Sequence, residues 1–440
     1  MAIYSTLTLG EKIRQVRESK GLSLENMAIA ISSSKPTISR FERNELEFST
    51  DMIIAIKKFL SIEKAPLFEH ELSLYRNRMK VWDTLIGTQR LTEARDMQNE
   101  MSVILDLPFE QDLYLLFLVT EAMLLSKEYN IPVLNEKLSI AEGLLDNASD
   151  DALYLYHLNK GFYYAANAGD YKNFLKHSLM ALEYMEKAKR TGTSVLISIG
   201  QAYNALGKPY KAIIYFERAK AQSKGDLTDI SVGFIMQSLA RCYMIIGEYA
   251  TAEKYLEPAL ARALSVNAEF DIGLVLSDKA KLSFKKGEYE ECLDLYDQSL
   301  KHHEQHKGIY LSTLIAKAID LFKMKKYDKS QEAIERGKAI LNEEEHGGIR
   351  SVAESDTQEI TLNAVGHLLT LDNDTSVEYI KDVAIPYLRA NGYTNYEALF
   401  FCSQLEAHYT KKRAKTKANA MAAIARDIYR ERYESEIEFD

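Results

Sequence analysis

Residues 32–43 read SSSKPTISRFER, a small polar turn followed by a short cationic helix-forming segment. Ile38 and Phe41 mark one side of that segment as apolar. The other side carries Lys35, Pro36, Thr37, Ser39 and Arg40. Lysine and arginine donate to guanine edges in a DNA major groove, and a threonine methyl meets thymine. Lys35 and Arg40 are therefore the candidate base readers, with Thr37 and Ser39 on bases or phosphate. Arg43 and Arg14 are candidate phosphate contacts. Catalytic chemistry has no comparable group. His157, His177, His302, His303, His306, His346, His367 and His408 show no metal-ligand spacing. The nearest approach, His302-His303-x-x-His306, ends a Lys- and Glu-rich segment and reads as surface. There is no P-loop, no Gly-x-Gly-x-x-Gly after a strand and no Gly-x-Ser-x-Gly. The expectation is a protein without enzyme activity, metal or cofactor.

The elements that position the first group are legible from apolar spacing. Leu9, Ile13 and Val16 recur at helical intervals, and Gly21 follows the end of that helix. Ser23 is a good N-cap for a second helix whose apolar face is Leu24, Met27, Ala28 and Ile31. Asn26 occupies the position where a capping box places Glu or Gln. Ser34 caps a third helix, Pro36 lies in its first turn where no amide is needed, and Asn44 closes it. Ser49 or Thr50 opens a fourth helix with Ile53, Ile56 and Leu60 inward. Two helices joined by so short a turn, with Ala28 at their crossing, form a helix-turn-helix. The segment LGEKIRQVRESKGLSLENMAIAISSSKPTISRFERN resembles the XRE-type, phage-repressor-like DNA-binding domain. One departure is Ser32, where that family usually has glycine. The resemblance implies that the start of the third helix enters the major groove. It also implies that Arg17 and Glu42 pair as a structural salt bridge orienting the helices.

Residues 1–64 are read as that domain, 65–80 as a linker and 81–440 as a helical repeat array. Around Gly207 the chain reads LISIGQAYNALGKPYKAIIYFERAKA, around Gly247 MQSLARCYMIIGEYATAEKYLEPALA, and around Gly287 LSDKAKLSFKKGEYEECLDLYDQSLK. Gly169 sits in a similar upstream unit, and Lys325 takes the glycine's place downstream. Successive spacings are 38, 40, 40 and 38 residues. Each unit is an apolar helix, a turn and a second apolar helix, with Ala212 or Ala252 letting the pair approach. Tyr171, Tyr249, Tyr289 and Tyr327 are expected to pack between the pairs. The units resemble tetratricopeptide repeats, whose usual period is somewhat shorter. Weaker pairs flank them, for about eight in all. The expected fold is all-α: an N-terminal helix-turn-helix followed by a right-handed tetratricopeptide superhelix with a concave groove. Asn159, Tyr163, Asn167, Gln201, Asn204, Gln237, Arg241, Ser277 and Lys281 project onto that groove. Amides can hold the backbone of an extended peptide, and Arg241 or Lys281 can take a carboxylate terminus.

Composition fits. The 440 residues carry a net charge of -9, with 46% hydrophobic and 27% charged residues, ordinary for a globular chain. Residues 1–64 hold a surplus of two bases, so the acidic excess lies in the rest, which repels phosphate. Cys242, Cys292 and Cys402 form neither a disulfide framework nor a zinc motif, which suits a reducing cytoplasm. No membrane span or secretory signal is evident. Glu343–Glu345 with Gly347 and Gly348 reads as an exposed loop, and Lys411, Lys412, Arg413 and Lys415 as a solvated helix face.

An XRE-type domain followed by such an array resembles the RRNPP family of Gram-positive bacteria, on the NprR-like or PlcR-like side. The resemblance implies a cytoplasmic receptor for a short imported signalling peptide. It further implies a homodimer on a near-palindromic double-stranded operator and no membrane association. In that family asparagines often grip the peptide, and Asn204 and Asn159 are the best positional matches. Two alternatives stand beside it: Rap-like capture of a response regulator, and a ligand-independent repressor of a mobile element.

Overall fold

The computed structural model describes residues 7–102, 109–146, 148–223, 230–342, 352–390 and 395–433. The chain divides into two compact units, residues 1–160 with 180–190, and residues 161–179 with 191–440. The acidic loop expected at 343–348 lies outside the described residues.

The first unit opens with α1 (Leu9–Ser19), α2 (Leu24–Ala30), α3 (Lys35–Glu42) and α4 (Thr50–Phe59). Each begins at a hydroxyl cap: Thr8, Ser23, Ser34 and Ser49 each accept from the backbone N–H three residues on. The turn after α2 is closed by Ser33 N–H donating to Ala28 O at 2.8 Å, with Ser32 left-handed at φ 53°. The departure from glycine is thus accommodated in a conformation that strains an L side chain. Asn44, at φ 60°, does the same after α3. Gly10 serves packing: a Cβ there would run into the Phe41 carbonyl oxygen, so α1 and α3 approach backbone to backbone.

The core of these helices is Ile13, Val16, Met27, Ala28, Ile38, Phe41, Ile56 and Leu60. It extends beyond residue 64. Ala65, Leu67 and Phe109 are buried in the same cluster. The expected 65–80 linker is therefore corrected. Its first residues complete the core of the four N-terminal helices, and α5 (Glu69–Gly87) starts at once, with Glu71 Oε2 accepting from the Leu67 and Phe68 amides at 2.8 and 3.0 Å. Lys12 is buried as well. Its Nζ donates to Leu67 O at 3.1 Å and stands 5.3 Å from the centre of the Phe109 ring. Beside Phe109, Glu110 accepts from Arg76 Nη2 of α5 at 3.0 Å, and burial pushes its carboxyl above the usual range.

The rest of the first unit stacks α6 (Leu91–Met101), α7 (Gln111–Lys127), α8 (Ile131–Glu142) and α9 (Asp150–Ala168) as far as residue 160, with the end of α10 (Tyr171–Lys187). Trp82 is fully buried, 5.2 Å from Phe117. Arg190 clamps Asp83 and Asp151 at 2.8 and 2.9 Å.

The second unit continues the pairs: α11 (Ser194–Ala205) with α12 (Pro209–Gln222), α13 (Ile230–Ile245) with α14 (Tyr249–Ser265), α15 (Glu269–Lys286) with α16 (Tyr289–His302), and α17 (Lys307–Lys323) with α18 (Tyr327–Asn342). After α19 (Val352–Leu368), the short α20 (Asp374–Glu378) and α21 (Ile385–Ala390) are joined by a π-helical turn, and α22 (Asn395–Lys411) pairs with α23 (Lys415–Tyr433). The turns repeat in detail. Gly169, Gly207, Gly247 and Gly287 are left-handed, and so is Lys325 at φ 61°. Lys208, Glu248, Glu288 and Lys326 each donate to the carbonyl five residues back, at 2.8 to 2.9 Å. This is the Schellman closure, made at Lys325 despite its Cβ.

Tyr289 and Tyr327 depart from expectation. They are half exposed and lie against Phe284 and Phe322 at 5.7 and 5.4 Å, covering the turn rather than filling the helix pair. The helix–helix contact is filled instead by small residues such as Ala212 and Ala252, both fully buried. The three cysteines are buried, and burial pushes the thiols of Cys242 and Cys292 up to about 12 and that of Cys402 to about 11. The basic run at 411–415 spans the end of α22 and the start of α23, with Lys412 and Arg413 in the turn between them. Among the described residues, no helix is long and apolar enough to cross a membrane.

Candidate nucleic-acid interface and repeat face

The α3 surface is built from its cap outward. Ser34 Oγ accepts the Thr37 amide at 3.3 Å and lies 2.7 Å from Thr37 Oγ1, so the threonine is fixed in the first turn. Lys35 and Pro36 beside it are exposed, and Ser39 is half-buried. Arg40 is 56% exposed, its Nε 3.9 Å from Glu45 Oε2. Arg43 shares that carboxylate at 3.3 Å and also donates from Nε to Ser39 O at 3.2 Å. Arg14 lies on α1 and pairs with Glu18 at 2.9 Å. The structure therefore gathers Lys35, Pro36, Thr37, Ser39, Arg40 and Arg43 on α3 and at its end, with Arg14 on a separate helix.

Beneath this surface, Arg17 and Glu42 form a buried two-point ion pair, Nε to Oε1 at 2.7 Å and Nη2 to Oε2 at 2.8 Å. Arg17 Nη1 also donates to Leu22 O at 2.8 Å. One guanidinium thus ties α1 to α3 and to the loop entering α2, which fixes the angle at which α3 is offered. Glu45 escaped the sequence reading. Its signal is a carboxylate five residues beyond Arg40 and two from Arg43.

The repeat-face candidates divide by depth. Asn159, on α9, does not present its amide. It is buried, and its Nδ2 donates to Val119 O at 2.9 Å and Leu155 O at 2.8 Å. Gln237 is likewise buried, donating to Asp278 Oδ2 at 2.8 Å, and Ser277 is buried too. These three expectations are corrected: the side chains lie between packed helices, where a polar group needs an internal partner. Asn204 is half-buried and accepts from Cys242 Sγ at 3.6 Å. Tyr163 is half-buried, its ring 5.8 Å from that of Tyr164. Asn167 and Gln201 are exposed. Arg241 and Lys281 are partly exposed and meet on one carboxylate, Asp278, at 2.6 and 3.4 Å. Asp278 was not anticipated. It sits between Ser277 and Lys279, where the sequence alone gives no reason to bury it.

Residues 13–67 match the helix-turn-helix family model, and this segment is a helix-turn-helix domain of that family. The matched range ends at Leu67, where the buried core also runs. The fold as a whole is similar to that of a Rap protein complexed with Competence and Sporulation Factor, at 17% identity and a TM-score of 0.70, over 82% of this chain and 99% of that one. NprR in complex with its cognate peptide NprX aligns at 17% identity and a TM-score of 0.65, over 80% and 97%. The apo form of the quorum sensor NprR from B. thuringiensis gives 17% and 0.60, over 80% and 98%. No curated protein matches the chain in sequence. The chain thus carries a helix-turn-helix segment ahead of an all-helical repeat fold similar to that of the Rap and NprR structures.

Proposed function

We propose that the protein is a peptide-responsive transcriptional regulator of the RRNPP type. Its helix-turn-helix binds an operator, and its repeats bind a short signalling peptide. The observation that carries this reading is an exposed, capped α3 with Lys35 and Arg40 outward, joined to a repeat fold similar to that of NprR in complex with its cognate peptide NprX. Lys35 and Arg40 read base edges, Thr37 and Ser39 meet bases or phosphate, and Arg43 and Arg14 meet phosphate. Pro36 starts the helix in the groove. Tyr163, Asn167, Gln201, Asn204, Arg241 and Lys281 are the peptide-facing set, with Asn159, Gln237 and Ser277 supporting helices from beneath. The protein works as a cytoplasmic homodimer on a near-palindromic site, dimer geometry setting half-site spacing. A peptide changes DNA affinity only through unequal binding to two arrangements of the protein, so the two affinities are linked reciprocally.

Genome-wide occupancy of the tagged protein, with and without cell-conditioned medium, tests this, with Arg40→Ala as control. Occupancy at a few promoters that changes with the medium and vanishes in Arg40→Ala is the expected result. Occupancy indifferent to the medium turns the reading into a ligand-independent repressor. No Arg40-dependent occupancy in either condition moves the function from DNA to protein partners, in the manner of Rap.

A further inference from the structure

Asp278 has a side chain only 1% exposed, and it is surrounded by more positive charge than it carries. Gln237 Nε2 and Arg241 Nε both donate to Oδ2, at 2.8 and 2.6 Å. Lys281 Nζ reaches Oδ1 at 3.4 Å. One buried carboxylate thus holds two cations from neighbouring repeats, α13 and α15, and leaves a surplus charge of one. The cations themselves are not buried: the Arg241 and Lys281 side chains are 37% and 44% exposed. Arg241 uses Nε alone on Asp278, and neither of its Nη groups has a partner among the described residues. The Lys281 contact is long, and an ammonium has three donors.

The next repeat repeats the device. Asp320 on α17 is buried, accepts from Tyr296 Oη at 2.9 Å and holds Lys323 at 3.3 Å, with Lys323 one-third exposed. Three cations therefore stand over two buried anions on three successive first helices.

We propose that Arg241 and Lys281, seated on Asp278, form a subsite for a carboxylate of the bound peptide. This rests on the peptide-receptor reading above and names the chemistry of its ligand. The physical reason is preorganisation. A guanidinium already fixed by a buried carboxylate through Nε offers its Nη edge without further ordering, and that edge accepts a carboxylate in the strong, directional geometry. An incoming carboxylate also balances the surplus positive charge. The carboxylate belongs either to the peptide's C-terminus or to an Asp or Glu side chain, which share the same chemistry.

The test uses full-length protein, immobilised, with mixed synthetic heptapeptides in three forms: free C-terminus, C-terminal amide, and amide without Asp or Glu. Retained peptides are counted by mass spectrometry on wild type, Arg241→Gln and Lys281→Met, with urea unfolding to establish that each variant is folded. The subsite predicts at least tenfold enrichment of carboxylate-bearing peptides on wild type and loss of that enrichment in a folded variant. Preference for the free terminus over the amide assigns the C-terminus, while preference only for acidic amides assigns a side chain. Equal retention of all three forms overturns the subsite and leaves the peptide reading standing. Retention of none overturns both. Lys281→Met keeps the test decisive should Arg241→Gln fail to fold, because Lys281 is the longer and more exposed contact.

Discussion

Helix α3 and the repeat face treat similar side chains in opposite ways. On α3, Lys35 is exposed and Arg40 meets only a weak, half-exposed carboxylate at 3.9 Å. On the repeats, Asn159 and Gln237 have their amide donors engaged internally, and Arg241 is anchored by a buried aspartate. A surface that reads a rigid, uniformly charged duplex needs long cations free to find phosphates and base edges. A surface between stacked helix pairs must first satisfy its own buried polar groups. The lesson is that a polar residue type at a repeat position indicates a face, while depth decides whether it serves a ligand or the fold.

The largest effect that breaks this comparison comes from beneath α3. Arg17→Met leaves Glu42 buried without its partner and costs about 3–5 kcal/mol, read by urea unfolding. Arg17→Met with Glu42→Leu recovers much of it. Arg40→Ala acts on binding alone: operator affinity falls by about 1–3 kcal/mol with relaxed preference at one base pair, in salt-controlled titrations. An equal loss on every sequence assigns Arg40 to phosphate instead. Asn159→Ala sharpens the other side. It lowers stability by about 1–3 kcal/mol because a buried donor is removed, whereas Gln201→Ala, being exposed, changes stability by less than about 0.5 kcal/mol. Smaller still, Lys325→Gly and Ser32→Gly each stabilise by about 0.5–1 kcal/mol, since both positions are left-handed. Last, Glu45→Gln raises DNA affinity at low salt by a few tenths of a kcal/mol, within the ordinary worth of an exposed pair, and the gain disappears at high salt.

Local features were readable in the sequence because they depend on near neighbours. The hydroxyl caps, the short turn at 32–34 and the left-handed Gly or Lys after each first helix are set by residues a few positions apart. The Arg17–Glu42 pair came through the resemblance to repressors rather than from spacing, since 25 residues separate the partners. What escaped depends on depth or on distant chain. Gln237 and Arg241 lie one turn apart on one helix, yet the first is buried and the second emerges. Tyr289 and Tyr327 follow their glycine or lysine as expected, but alanines already fill the helix contact and the rings stay half outside. Gly10 looked unremarkable until α3 was seen against it. Nothing near Lys12 indicates that it would be buried under Leu67 and Phe109.

Phe109 has a consequence for how such proteins diversify. The ring completing the core of the helix-turn-helix is borrowed from the residues just before α7, and Lys12 and Leu67 are organised around it. A recombination joint at residue 64 would separate the head from Ala65, Leu67 and Phe109, leaving its interior open to solvent. New operator specificity can then be acquired by changes on α3, or by exchange of a block reaching at least to Glu110.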